Sequence, residues 1–94
     1  MQRSKIKTYC KKPIPIKALL WDGTNLEDVK KFVGKDLIVH YPVMDDSVVL
    51  LAIHTLEGDM TVNFGNYIIK GVRGEFYSCD GEIFKETYEE VESE

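Results

Sequence analysis

Between residues 14 and 21 the apolar positions alternate: Ile14, Ile16, Ala18 and Leu20 share one parity and Lys17 stands on the other. That period of two predicts a strand with the first set turned inward. Pro13 and Pro15 cannot donate to a ladder, so they mark its start or an edge. Leu19 and Trp21 share the Lys17 face, which is therefore covered towards its C-terminal end. The period then changes. Leu26, Val29, Phe32 and Val33 follow helical spacing and predict a short amphipathic helix over about 25–33. Thr24 and Glu27 have the three-residue spacing of a capping box, Lys30 and Lys31 suit the negative end of the helix dipole, and Gly34 is a natural stop.

Residues 37–41 form a second β-prone run, and residues 48–55 are apolar at almost every position, as in a central strand covered on both faces. Beyond a turn at Glu57-Gly58, Met60, Val62 and Phe64 alternate with polar residues. Gly65-Asn66 and Arg73-Gly74 then punctuate two further runs at 67–72 and 75–79. Links this short join antiparallel neighbours, so residues 48–79 are expected to form a meander. Asp80 is a good N-cap for a last helix over about 81–91, with Phe84, Tyr88 and Val91 on one face and glutamates around the rest. The fold class is therefore α+β: a mainly antiparallel sheet of about five strands with two short helices, in a single domain spanning 1–94. The expected core is Ile16, Ala18, Leu20, Val29, Phe32, Leu50, Ala52, Ile69 and Phe84. Residues 1–12 are weakly patterned and read as an extended basic arm or an edge strand.

Charge adds an asymmetry. The net charge is −4, but residues 1–17 carry six cations and no acid, while residues 80–94 carry seven acids against Lys85 alone. A basic arm can meet phosphate. Here the overall acidity, the single arginine of the arm and its lack of stacking aromatics beyond Tyr9 argue against nucleic acid. An acidic surface, such as the chain's own C-terminal helix, is the better match. No apolar run reaches the ~20 residues needed to cross a bilayer, and no signal-peptide pattern stands at the N-terminus, so a cytoplasmic protein without membrane contact is expected. Cys10 and Cys79 lie far apart and are expected to be reduced, although one bridge between them stays open at this point.

No catalytic constellation emerges. His54 lies in the apolar run, where a partly buried structural role is expected, and no serine, cysteine or acid accompanies either His40 or His54 in a recognisable order. Asp45-Asp46 lacks the other ligands of a calcium loop. Gly65, Gly71 and Gly74 fit no phosphate-loop spacing and are better explained by turns. The expectation is a non-enzyme that needs no cofactor and no metal. One cluster stands out as a candidate binding surface, namely Tyr67, Lys70, Arg73, Glu75 and Tyr77 around a single predicted hairpin, because tyrosine and arginine are enriched where partners dock. Strand parity places Tyr67 and Lys70 on opposite faces.

The stretch Gly65-Asn66-Tyr67-Ile68-Ile69-Lys70-Gly71-Val72-Arg73-Gly74-Glu75-Phe76-Tyr77-Ser78-Cys79, followed by Ile83-Phe84 and Tyr88-Glu89, resembles a segment of a family of small tailed-phage and prophage proteins. Lys12-Pro13, Ala18 and Trp21-Asp22-Gly23 resemble that family's N-terminal signature, and Thr55-Leu56-Glu57-Gly58 also fits. Asn66 stands where the family usually has Asp, and Gly81 where it often has proline. The resemblance implies a phage or prophage origin and a bacterial intracellular setting; it carries over no catalytic or binding residue. The expected function is a small accessory protein acting by protein–protein interaction with a host or phage protein. The alternative is a small-ligand or nucleotide-sequestering protein. Homodimerisation is also expected, since a sheet of this size has two edges and only the lysine-rich N-terminal segment guards one.

Overall fold

In the computed structural model, which describes residues 5–42 and 49–91, the β-prone runs do become strands, in the order β1 (Lys17–Leu20), β2 (Leu37–His40), β3 (Leu50–Thr55), β4 (Gly58–Val62), β5 (Tyr67–Lys70) and β6 (Phe76–Cys79). The helices are α1 (Leu26–Val33) and α2 (Gly81–Thr87). The class is α+β with every strand pair antiparallel, but the single five-strand sheet is not what forms. Two three-stranded sheets stand instead, ordered β1-β5-β6 and β2-β3-β4.

The expected meander breaks between β4 and β5. Gly65, at φ +87°, donates its N–H to the Trp21 carbonyl at 2.9 Å, and Trp21 N–H donates to the Asn66 carbonyl at 2.9 Å. These two bonds tie the turn to the end of β1, so β5 leaves the turn alongside β1 in the register Leu19↔Ile68 rather than alongside β4. The left-handed φ costs glycine little and other residues more.

One core fills the space between the sheets and α1. Trp21, Val29, Val33, Leu51, Ile53, Val62 and Ile68 are buried in it, with Leu19, Phe32, Val39 and Phe76 packed around them. Phe32 and Phe76 meet edge to face, with ring centroids 5.4 Å apart. Full burial of side chains such as Ile53 and Ile68 is worth about 1.5–3 kcal/mol each.

Of the expected core, Val29 and Ile69 are buried, and Ile16, Phe32, Ala52 and Phe84 are half-buried. Ala18, Leu20 and Leu50 are exposed. In β1 it is Leu19 and Trp21 that face the core, with Trp21 only 3% exposed; Ala18 and Leu20 lie on the α2 side of the sheet. In β3 the inward set is Leu51 and Ile53. That strand is central, as its composition suggests, yet only one of its faces is covered.

The helix ends also differ in detail. Asn25, not Thr24, takes the N-cap position of α1, and its side chain makes no capping bond. It donates instead to the Leu20 carbonyl at 2.7 Å, while Thr24 donates both its N–H (2.8 Å) and its hydroxyl (2.7 Å) to Asp22. This Asx-type turn replaces the capping box and holds the Asp22 carboxyl below its usual pKa. Glu27 pairs with Lys30 at 3.3 Å. At α2, Asp80 caps as expected, accepting from the N–H groups of Glu82 (3.1 Å) and Ile83 (3.2 Å). The helix stops at Thr87 rather than near 91, with Tyr88 already extended at φ −124°, ψ 152°. Carboxylates of Glu86, Glu89 and Glu90 repel one another and oppose the dipole at this end. Among the described residues of the 1–12 segment, 5–12 carry no strand. No described helix is long and apolar enough to cross a membrane. Residues 1–4, the Asp45-Asp46 pair and Val48 lie outside the described residues.

Candidate functional site

The β5–β6 hairpin does not assemble its five candidates into one surface. Tyr67 and Tyr77 lie on the α2 side of the first sheet; Lys70 lies on the opposite face, its ammonium 5.8 Å from the Phe76 ring centroid. Arg73 and Glu75 belong to the connecting turn. The Glu75 carboxylate folds back over Gly71 and accepts the Arg73 N–H at 2.9 Å, beside the backbone bond from Gly71 N–H to the Glu75 carbonyl at 2.7 Å. Glu75 thus closes the turn.

The two tyrosines join a cluster that pattern alone did not assemble. The Tyr67 ring stacks on Phe84 at 3.9 Å between centroids, and Phe84 stacks on Tyr88 at 4.9 Å. Lys11 of the arm places its ammonium 4.5 Å from the Tyr88 centroid and hydrogen-bonds the Tyr88 hydroxyl. The arm does reach the end of α2, then, but at Tyr88 just past its last turn, through an aromatic phenol rather than a glutamate. Hydrogen bonds from Lys11 first, and from the Tyr77 hydroxyl second, lower the Tyr88 pKa. Burial, followed by that donation to Tyr88, pushes Tyr77 up to about 12. Cys79 is raised as well, by burial and by the neighbouring Asp80 charge. Both cysteines are free thiols, Cys10 exposed and Cys79 half-buried. The i, i+4 spacing of Phe84 and Tyr88 on a glutamate-rich helix was the one sequence signal for this cluster.

Between the arm and α2 runs a groove of about 860 Å³, floored by Ile16, Ala18, Tyr67 and Phe84. Lys11, Lys12 and Lys85 stand along it, together with Glu89 and Glu90.

A second surface lies on the other sheet. The face of β2-β3-β4 turned away from the core carries Ile38, His40, Leu50, Ala52, His54, Asp59 and Thr61 in cross-strand register. Leu50 is 52% exposed, Ile38 38% and the flanking Phe64 76%. They surround a shallow hollow of about 490 Å³. His54 is on this face, exposed rather than partly buried, because the apolar run it belongs to has only one covered side. Its Nδ1 lies 2.9 Å from the Asp59 carboxylate directly across the hairpin. Among the described residues no group of three or more His, Cys, Asp or Glu is placed to hold a metal ion.

No family model, curated protein or solved structure matches this chain.

Proposed function

We propose that the chain is a small non-enzymatic accessory protein of a phage or prophage that acts by binding another protein, a host or phage component, on the open face of β2-β3-β4. The observation that carries this reading is the exposed apolar set Ile38 and Leu50, flanked by Phe64, on an otherwise ordinary charged surface. Exposed apolar surface of this kind costs hydration free energy and is kept where a partner covers it. The only carboxylate on the face within the described strands, Asp59, is already held by His54, so charge does not choose the partner. A folded protein presenting an apolar patch of its own fits best.

The ligand-sequestering alternative has less support. A pocket uniting tyrosines with Lys70 and Arg73 would favour it, and those cations lie away from the tyrosine cluster. The test is a quantitative capture from bacterial host lysate, comparing the native chain with Leu50→Asp and Ile38→Asp and measuring retained proteins and small metabolites. A protein retained by the native chain and lost with both variants supports the reading. Retention unchanged by either variant, or a metabolite as the only retained species, refutes it. Sedimentation of the pure protein over rising concentration covers the second-copy case: a dimer that both variants abolish assigns the face to homodimerisation instead.

A further inference from the structure

The first sheet has a free edge, and its backbone says what would fit there. Trp21 bonds to Asn66 across the β1–β5 ladder. By the alternation of an antiparallel pair, Lys17 and Leu19 also turn their N–H and C=O groups towards β5, while Ala18 and Leu20 turn theirs outward. The outward Leu20 carbonyl is taken by the Asn25 amide at 2.7 Å. Among the described residues, the N–H groups of Ala18 and Leu20 and the Ala18 carbonyl have no partner. β1 thus presents two donors and one acceptor at the spacing of a strand, a template for another extended chain.

The two faces beside that edge differ in chemistry. On one side, Ala18 and Leu20 adjoin the groove floored by Ile16, Tyr67 and Phe84, which suits apolar side chains. On the other, Lys17 stands directly across from Lys70. Like charges in that relation repel, and Lys70 leans away onto the Phe76 ring. Neither lysine has a carboxylate within ion-pair distance among the described residues. The arm leading into β1 adds Lys5, Lys7, Lys11 and Lys12 with no acid between residues 5 and 17.

We propose that the free edge of β1 accepts an extended segment of a partner protein whose side chains alternate apolar and acidic, as an added fourth strand. Backbone bonds to Ala18 and Leu20 hold it. Its apolar side chains enter the groove towards α2, and its carboxylates lie beside Lys17 and relieve the Lys17–Lys70 repulsion. This surface is separate from the open face of β2-β3-β4 and stands without it.

The probe is a fluorescent seven-residue peptide alternating glutamate with valine or isoleucine, titrated against the full chain by anisotropy at low and moderate salt. Saturable binding that weakens with salt is expected. Ala18→Pro removes an outward N–H and spares the β1–β5 ladder, so it should weaken binding at least tenfold while the fold, checked by circular dichroism, survives. If that variant does not fold, peptides N-methylated on alternate amides report the same bonds: one methylation phase should abolish binding and the other should not. Lys17→Glu should weaken the glutamate peptide and favour its lysine counterpart. Amide exchange should slow at Ala18 and Leu20 when the peptide binds. Absence of binding, equal binding of both methylation phases, or unchanged exchange at these two amides overturns the proposal. So does protection of the two amides in the free protein together with a dimeric mass, which would make a second copy the occupant.

Discussion

Leu50 and Leu51 are neighbours of one residue type, and truncating each in turn tests the architecture most directly. Leu51 is 2% exposed and packs with Val62 and Ile53; Leu50 is 52% exposed on the open face. Leu51→Ala removes buried carbons and leaves a cavity, costing about 3 kcal/mol within a usual range of ~2–5. In a domain of this size each kcal/mol shifts the melting temperature by about 4–8 °C, so the midpoint should fall by roughly 12–24 °C. Leu50 has only about half its surface to lose, which caps the cost of Leu50→Ala at about 1 kcal/mol. Urea unfolding followed by tryptophan fluorescence reads both, since Trp21 sits in the same core. A lower midpoint at an unchanged slope reports stability alone. Equal losses for the two variants would mean that both faces of β3 are covered, and a larger loss for Leu50→Ala would mean that the strand is turned over. Either result would refute the open face and the function proposed on it.

Four further outcomes follow from local geometry. Asp80→Ala leaves two N–H groups of α2 without their acceptor and should cost about 1 kcal/mol, read as a fall in melting temperature of about 4–8 °C. Gly81→Ala should also destabilise, by about 1–3 kcal/mol, although alanine is the better helix former, because its Cβ would run into the backbone carbonyl of Gly65; a rise in melting temperature would contradict that contact. Tyr77, raised to about 12, retains its proton longer in the folded chain than in the unfolded one. The stability it lends is therefore complete below the ordinary phenol value near 10 and is lost as the pH climbs towards 12. Absorbance titration near 295 nm should find one late-ionising phenol, and Lys11→Met should shift the early Tyr88 ionisation upward by removing its cationic donor.

Local chemistry made much of the fold legible in advance. Gly34 follows α1 as its stop, Asp80 caps α2, and the strand runs around residues 37–41, 67–72 and 75–79 all contain strands. Each depends on a period, a cap or a turn contained within a few residues, which a sequence encodes completely. The basic character of the arm was equally plain from composition, and Lys11 does lie against Tyr88, just past the end of α2.

What chain order could not settle was which strands meet. A turn of four residues suits an antiparallel neighbour, but the hydrogen bonds of Gly65 and Asn66 with Trp21, more than forty residues back, draw β5 to β1 and divide one sheet into two. That division decided everything downstream of it. It put Leu19 and Trp21 into the core in place of Ala18 and Leu20, whose alternation was equally apolar. It also left a strand as hydrophobic as β3 with one face bare, exposing Leu50 and His54. The candidates on the β5–β6 hairpin were separated by strand parity alone, Tyr67 and Tyr77 on the α2 side and Lys70 facing Lys17; what long-range pairing added was the α2 aromatics that Tyr67 meets. Period and punctuation say where a strand runs and which residues share a face; only long-range pairing says what that face meets.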